Sequence, residues 1–196
     1  SKKIFTGSNG KNLIKNIRKA DTFYYSGITI GILDEIQQNQ LIDLGSTAKT
    51  SAFDFNYRNQ LHSDKEKYIK LFKHINNSIN IHFVSYDDIQ KLFNITNPIE
   101  IFEILDNKHN LVLVRYKNNI IFRERNEDLR TITVPHGEVV DTTAAGDSFN
   151  GAFLCLLNNN NNIQIEENIL KSHTITREVV KHKGAIIDKE FMPKLN

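Results

Sequence analysis

Short runs rich in β-branched and aromatic residues alternate with stretches of helical periodicity along almost all of the 196 residues. The pattern predicts strands over 22–27, 52–56, 79–84, 111–114, 120–122 and 131–134, and a closing strand or extended segment over 184–187. Helices are predicted over 9–20, 33–41, 64–75, 87–93, 98–105, 146–157 and 164–181, with a polyasparagine loop at 158–162. This alternation is typical of βαβ units, and it predicts an α/β fold with a mainly parallel sheet covered on both faces.

Composition narrows the class of protein further. Hydrophobic residues make up 39% of the chain and charged residues 24%, with a formal net charge of +2. These values are ordinary for a soluble globular protein, and they favour neither nucleic acid nor a membrane surface as a partner. No apolar stretch has the length of a transmembrane helix, and no signal-peptide pattern opens the chain, so we expect a cytoplasmic protein.

The arrangement of the chain predicts one domain spanning residues 1–196. We find no internal repeat, block of like charges or linker-like segment that would divide it. The single cysteine, Cys155, lies in an apolar run, which predicts a small buried side chain and no internal disulfide. The histidines are scattered, so a metal site built from protein ligands alone is not expected.

The segment 140–149 carries the most chemistry. Small residues precede the carboxylate of Asp147, and an amphipathic helix follows. Small side chains at a helix start leave the N–H groups of Ala145, Gly146 and Asp147 open to an anion, which the helix dipole also favours. A carboxylate placed there could accept a proton from an attacking hydroxyl. The alternative interpretation is an ordinary N-capped helix of an α/β protein.

Four segments carry a resemblance to one family. The run Asp-Thr-Thr-Ala-Ala-Gly-Asp at 141–147 resembles the signature Asp-Thr-x-Gly-Ala-Gly-Asp of the ribokinase-like (PfkB) carbohydrate kinases, with Ala144 in place of the first glycine. Residues 23–29, 53–58 and 183–187 are similar to segments of the branch that phosphorylates 2-keto-3-deoxygluconate. The resemblance implies a three-layer α/β/α sandwich, and it implies that the chain is the C-terminal part of the family's full length, without the N-terminal lid.

The same resemblance implies a reaction and the residues that serve it. ATP, with Mg²⁺, would phosphorylate 2-keto-3-deoxy-D-gluconate to its 6-phosphate, and a homodimer is possible. Asp147 would be the catalytic base and also contact the substrate. Ala144, Ala145 and Gly146 would form the anion hole, with Ala144 and Gly146 also contacting ATP.

Further positions are implied outside this segment. Arg58 would bind the substrate, because a guanidinium can meet the carboxylate of a sugar acid with two parallel hydrogen bonds. Asn56, Ser85 and Arg115 would contact ATP, and Asp88 would reach the water shell of the metal. The alternatives are a surface arginine for Arg58 and a simple helix N-terminus for the acidic pair at 87–88.

The clearest departure from the family follows Arg115. The family pattern Lys-x-Gly-x-x-Gly lacks both of its glycines here, and we expect asparagine to provide the positive φ of the turn. This departure leaves open a truncated, non-catalytic remnant that still binds nucleotide, and a kinase for another sugar such as fructose or ribose also stays open. A Rossmann-type binding domain is a weaker alternative, because no Gly-x-Gly-x-x-Gly follows a strand.

Overall fold

The computed structural model describes residues 4–62, 64–105, 110–159 and 163–194. The chain divides into two compact units, Ser1–Thr131 and Ile132–Asn196, and each is described by itself. The expectation of a single domain stays a prediction.

The first unit contains the alternating strands and helices. Its strands are β1 (Thr22–Ser26), β2 (Thr50–Asp54), β3 (Ile81–Ser85), β4 (Leu111–Tyr116) and β5 (Asn119–Arg123). Its helices are α1 (Gly7–Ile17), α2 (Gly27–Gly31), α3 (Glu35–Gly45), α4 (Lys65–Asn76), α5 (Tyr86–Phe93) and α6 (Glu100–Ile104). The short helix α2 was not predicted, since its sequence Gly-Ile-Thr-Ile-Gly is poor in helix-forming residues.

The sheet runs in the order β1-β2-β3-β4-β5-β6, where β6 (Arg130–Thr133) includes the boundary between the two units. Strands β1 to β4 are parallel to their neighbours, and β5 returns antiparallel to β4. The predicted α/β class with a mainly parallel sheet is therefore confirmed. Strands β2 and β3 are almost entirely buried and β4 is buried at its centre, as expected for the middle of a parallel sheet.

The parallel register brings four polar side chains to one edge of this sheet. Ser26 pairs with Asp54 at the ends of β1 and β2, and Ser85 pairs with Arg115 on β3 and β4. Ligands of open α/β sheets bind at the carboxyl ends of the strands. We therefore expect the functional residues of the first unit to lie at this edge.

The second unit is built on two long helices, α7 (Ala145–Asn159) and α8 (Ile165–Val179), and a 3-10 turn at Lys189–Phe191. The helices pack against each other through buried apolar residues, including Phe149 and Phe153 of α7 and Ile169 of α8. The buried side chain of Asn168 donates to the carbonyl of Phe153 at 3.1 Å, so the polar group inside this contact is satisfied.

Three local predictions are wrong. Residues 184–187 form no strand, and the side chain of Ile186 is 90% exposed. Helix α7 continues through Asn158 and Asn159, and the rest of the predicted polyasparagine loop lies outside the described residues. Cys155 is exposed, because it faces away from the side of α7 that packs on α8. Within the described residues, no helix is long and apolar enough to cross a membrane.

Candidate active site

The predicted residues of the first unit lie at or just after the carboxyl ends of β2, β3 and β4. Asn56 and Arg58 follow β2, Ser85 ends β3, and Arg115 lies near the end of β4. Asp88 is in the first turn of α5, directly after β3. The topology thus gathers at one sheet edge five residues that are up to 59 positions apart in the sequence.

Arg58 and Asp88 are in direct contact. The Arg58 Nη1 donates to Asp88 Oδ1 at 3.0 Å and to its neighbour's carbonyl, that of Tyr57, at 2.9 Å. The side chain of Arg58 is 45% exposed, so this ion pair contributes only about 0–1 kcal/mol to stability. A carboxylate ligand could therefore compete with Asp88 for the guanidinium at low cost.

Asp54 is a buried carboxylate that the sequence analysis passed over. The residue is 3% exposed, and it directly follows the fully buried Ala52 and Phe53 in β2. Its Oδ2 accepts a hydrogen bond from the hydroxyl of Tyr24 at 3.3 Å, and its Oδ1 is 3.8 Å from Arg115 Nη2. A buried charge is costly without such partners, and Tyr24 and Arg115 offset that cost. The same ion pair orients the side chain of Arg115 at the sheet edge. The sequence signal was an aspartate flanked by phenylalanines in the run 53–55.

Asn56 has two unusual features. Its backbone has φ 31°, and its side-chain Oδ1 is buried with no hydrogen-bond partner among the residues that the structure describes. A buried polar atom without a partner is rare in folded proteins, and a bound water, ion or ligand is one way to satisfy it. Ser85, the N-cap residue of α5, likewise makes no capping hydrogen bond with its side chain.

The turn after Arg115 keeps a left-handed residue without glycine. β4 and β5 are joined by the two-residue turn Lys117-Asn118, and Lys117 has φ 52°. Counted from Arg115, Lys117 occupies the first glycine position of the family pattern. The expectation that asparagine provides the positive φ is therefore wrong. A two-residue hairpin turn requires a positive φ at its first residue, which here is Lys117 and not Asn118.

In the second unit, Asp141 fastens the predicted signature segment to the closing part of the chain. Its Oδ1 accepts from the N–H and the hydroxyl of Thr143, at 2.9 and 2.6 Å, and its Oδ2 accepts from the N–H of Gly184 at 2.9 Å. The Thr143 hydroxyl, followed by the two N–H groups, holds the pKa of Asp141 below its usual value. Gly184 has φ +92°, a conformation that glycine adopts without strain.

The start of α7 presents a left-handed residue followed by two amides. Ala144 has φ 61°, which explains why a glycine suits this position in the family signature. The first helical hydrogen bond runs from Ser148 N–H to the carbonyl of Ala144, at 2.8 Å. The described residues provide no recorded acceptor for the N–H groups of Gly146 and Asp147, as expected for a first helical turn.

One amide of the predicted anion hole is already used locally. The N–H of Ala145 donates to the carbonyl of Thr142 at 3.1 Å. The anion-binding hypothesis therefore depends in this structure on Gly146 and Asp147, with Ala144 forming the turn before them. The side chain of Asp147 is exposed at this helix start.

A groove of about 720 Å³ runs along the exposed side of α7 and begins one residue after Asp147. Its walls are mainly apolar and come from α7, α8 and the closing segment; they include Ser148, Gly151, Ala152, Cys155, Val179, Ile187 and Met192. Sequence reasoning missed this groove. The available signal was the pair of small residues, Gly151 and Ala152, on one face of an otherwise bulky helix.

The curated relatives that this chain matches are kinases. It is 35% identical over 188 residues to a 2-dehydro-3-deoxygluconokinase of Haemophilus influenzae, covering 90% of this chain and 58% of the relative. It is 27% identical over 193 residues to the 2-dehydro-3-deoxygluconokinase of Escherichia coli K12, covering 92% of this chain and 61% of the relative. The chain thus spans about three fifths of the length of these relatives.

The fold has a match among solved structures. Aminoimidazole riboside kinase from Salmonella enterica, complexed with aminoimidazole riboside and an ATP analogue, superposes with a TM-score of 0.71 at 21% identity. The match covers 84% of this chain and 57% of that structure, and it confirms the predicted ribokinase-like α/β fold. The model of the pfkB family of carbohydrate kinases matches residues 4–192, and the chain belongs to this family.

Proposed function

We propose that this chain carries the phosphoryl-transfer centre of an ATP-dependent kinase for a sugar acid. The proposed substrate is 2-keto-3-deoxy-D-gluconate. The observation that carries the proposal is the start of α7. There an exposed carboxylate, Asp147, is combined with two N–H groups that have no recorded acceptor among the described residues. A proton acceptor and anion-binding amides at one helix start suit transfer of a phosphoryl group to an alcohol.

In the proposed reaction, the carboxylate of Asp147 accepts the proton of the sugar 6-hydroxyl. The oxygen forms a bond to the γ-phosphorus of ATP while the bond from that phosphorus to the β–γ bridging oxygen breaks, and ADP leaves. The N–H groups of Gly146 and Asp147 stabilise charge on the transferring phosphoryl group, and Ala144 shapes the turn that presents them.

The groove along α7 would receive the nucleotide base. It starts beside Asp147, so a nucleotide with its phosphates at the helix start could extend along it, and its apolar walls suit a flat aromatic ring. The exposed Cys155 lines this groove. At the sheet edge of the first unit, Asn56, Ser85 and Arg115 remain the proposed polar contacts to ATP.

Arg58 is the proposed ligand of the sugar acid's carboxylate. The residues present also suit Mg²⁺, which accompanies nucleotides by binding phosphates and water with few protein ligands. Among the described residues, no cluster of three or more potential metal ligands occurs, and Asp88 Oδ1 is already paired with Arg58. Asp88 would therefore hold Mg²⁺ through one of its waters, and the ion supplies charge neutralisation on the phosphates.

The second candidate is a nucleotide-binding remnant without catalysis. The observation that favours it is the turn after Arg115, where Lys117 stands at the first glycine position of the family pattern and has φ 52°. Such a chain would bind ATP and leave the sugar acid unphosphorylated.

The deciding experiment is an ATP-dependent phosphorylation assay with 2-keto-3-deoxygluconate, ribose and fructose as separate acceptors. The full-length Haemophilus influenzae relative serves as the positive control, and ATP binding is measured in parallel by calorimetry. Turnover of the keto acid alone is the expected result. Turnover of ribose or fructose in its place would refute the substrate assignment, and ATP binding without turnover would support the remnant.

A further inference from the structure

The backbone after β2 is seated unusually closely on helix α2. A Cβ atom added at Gly27 would lie 2.0 Å from the carbonyl oxygen of Phe55, and one added at Gly31 would lie 2.8 Å from Cε1 of His62. Both distances are below 3.0 Å, so a side chain at Gly27 would clash with the backbone of Phe55, and one at Gly31 would displace the ring of His62. The two glycines are four residues apart, on one face of the helix, and this face receives the segment 55–62.

His62 is the side chain that fastens the far end of this segment. The residue is 7% exposed, and its Nε2 is 3.0 Å from the carbonyl oxygen of Gly27. Because a carbonyl only accepts, Nε2 carries the hydrogen. The ring centroid is 3.9 Å from that of Tyr68, and the ring stacks on Tyr57 with an interplanar angle of 15°. Burial lowers the pKa of His62 and thereby favours the neutral ring, and the hydrogen bond to Gly27 opposes this effect only in part.

His62 and Arg58 are the two ends of one turn. The N–H groups of Leu61 and His62 donate to the carbonyl of Arg58, at 2.9 and 3.2 Å. The backbone of Arg58 is therefore held through the same turn that the imidazole pins to α2. Among the described residues, the guanidinium of Arg58 is held by two exposed contacts, to Asp88 and to the Tyr57 carbonyl.

We propose that His62 is a positioning residue for Arg58, which it holds at the sheet edge by hydrogen-bonding the Arg58–His62 turn to the first residue of α2. The functional consequence rests on the proposed function, in which Arg58 binds the sugar acid. A ligand-binding arginine whose backbone is fixed before the ligand arrives loses less freedom on binding, so removal of the anchor weakens binding of the sugar acid and leaves nucleotide binding unchanged.

The anchor can be tested without any ligand, because trypsin cleaves after Arg58. Three variants are compared with the unmodified chain by mass spectrometry of timed digests. His62→Phe keeps the ring and removes the hydrogen bond, His62→Gln keeps an N–H donor, and His74→Phe makes the same change at an exposed position of α4. We expect cleavage at Arg58–Asn59 to become about tenfold faster in His62→Phe, and to stay near the original rate in the other two.

The ligand readout is calorimetric titration with 2-keto-3-deoxygluconate and, separately, with ATP. In His62→Phe the dissociation constant of the sugar acid should rise about tenfold, while that of ATP should not change, and His62→Gln should recover most of the affinity. A purely structural role of His62 would lower the melting temperature without this selective effect.

The outcomes separate the anchor from the function. Unchanged cleavage at Arg58 in His62→Phe overturns the proposal whatever the chain binds. Faster cleavage in a chain that binds no sugar acid supports the anchor and counts against the proposed function. If His62→Phe does not fold, which faster cleavage at every site would reveal, Gly31→Ala displaces the ring from its seat and should accelerate cleavage at Arg58 alone.

Discussion

Two aspartates of the signature segment, Asp141 and Asp147, have opposite surroundings. Asp141 accepts three hydrogen bonds, from Thr143 and Gly184, and its pKa is lowered. Asp147 is exposed at the first turn of α7, and the described part of the chain records no hydrogen bond or ion pair of its side chain. The first carboxylate is committed to holding the chain together, and the second is available to react with a ligand.

The difference shows how one short sequence provides both a support and a reactive group. Asp141 ties the loop before α7 to Gly184, next to the closing segment that lines the groove. The position of the Asp147 helix start relative to that groove therefore depends on Asp141. We expect substitutions at Asp147 to change chemistry with little effect on folding, and substitutions at Asp141 to change folding first.

The largest effect is expected for Asp147→Asn. The amide keeps the shape of the side chain but cannot accept the proton, so turnover should fall by about 100- to 10,000-fold. Nucleotide affinity should be kept or increased, because a negative charge is removed next to bound phosphates. ADP release and ATP titration measure the two effects.

Asp43→Asn is the matched control, because it makes the same change at an exposed position of α3. It should leave turnover and affinity unchanged. An Asp147→Asn protein that retains more than about a tenth of the turnover would exclude Asp147 as the base.

The next largest effect is expected for the labelling of Cys155 in the groove that begins beside Asp147. Cys155 is the only cysteine and lies on the groove wall, so its alkylation by N-ethylmaleimide reports directly on occupancy. Saturating ATP should slow alkylation by about tenfold or more, since a bound ligand in such a groove loses most of its contact with water. A labelling rate that does not change when calorimetry shows ATP to be bound would place the nucleotide elsewhere. Cys155→Ser is the blank for the label.

How far the sequence could predict these features depends on the range of the interactions. Strand and helix positions and the signature segment follow from local periodicity and from a short motif. The contact between Arg58 and Asp88 joins residues 30 positions apart, and it depends on the register of β2 and β3 and on the placement of α5. No local pattern encodes such a contact.

The same limit explains two missed conformations. The exposure of Cys155 was not predicted, because an apolar run does not reveal which face of α7 packs against α8. The left-handed Lys117 was not predicted because the hairpin, and not residue preference, fixes its φ.

A smaller effect is expected for the stability that Asp141 contributes and for its dependence on pH. Because the pKa of this carboxylate is lower in the folded protein than in the unfolded chain, its charged form stabilises the fold. That stabilisation is complete above the ordinary carboxyl pKa of about 3.9 and is lost as the pH falls through the lower folded-state pKa. The melting temperature of Asp141→Asn should therefore lie below that of the unmodified chain at pH 7, and the gap should be smaller at pH 3. A gap that is the same at both pH values would mean that the carboxylate is not the stabilising group.

The smallest effect is expected at Ala144, between the two aspartates. An L-residue at φ 61° costs about 1–2 kcal/mol relative to glycine, whereas glycine gives the unfolded chain about 0.4–1 kcal/mol of additional conformational freedom. Ala144→Gly should therefore increase the free energy of unfolding by up to about 1.5 kcal/mol in urea titrations. Ala145→Gly, one residue further and at the first position of α7, is the matched control and should decrease it by up to about 1 kcal/mol. Opposite signs for two adjacent alanines would show that the left-handed turn before Asp147 is a strained feature of this chain, whereas a loss of stability in both would mean that residue 144 adopts an ordinary helical conformation.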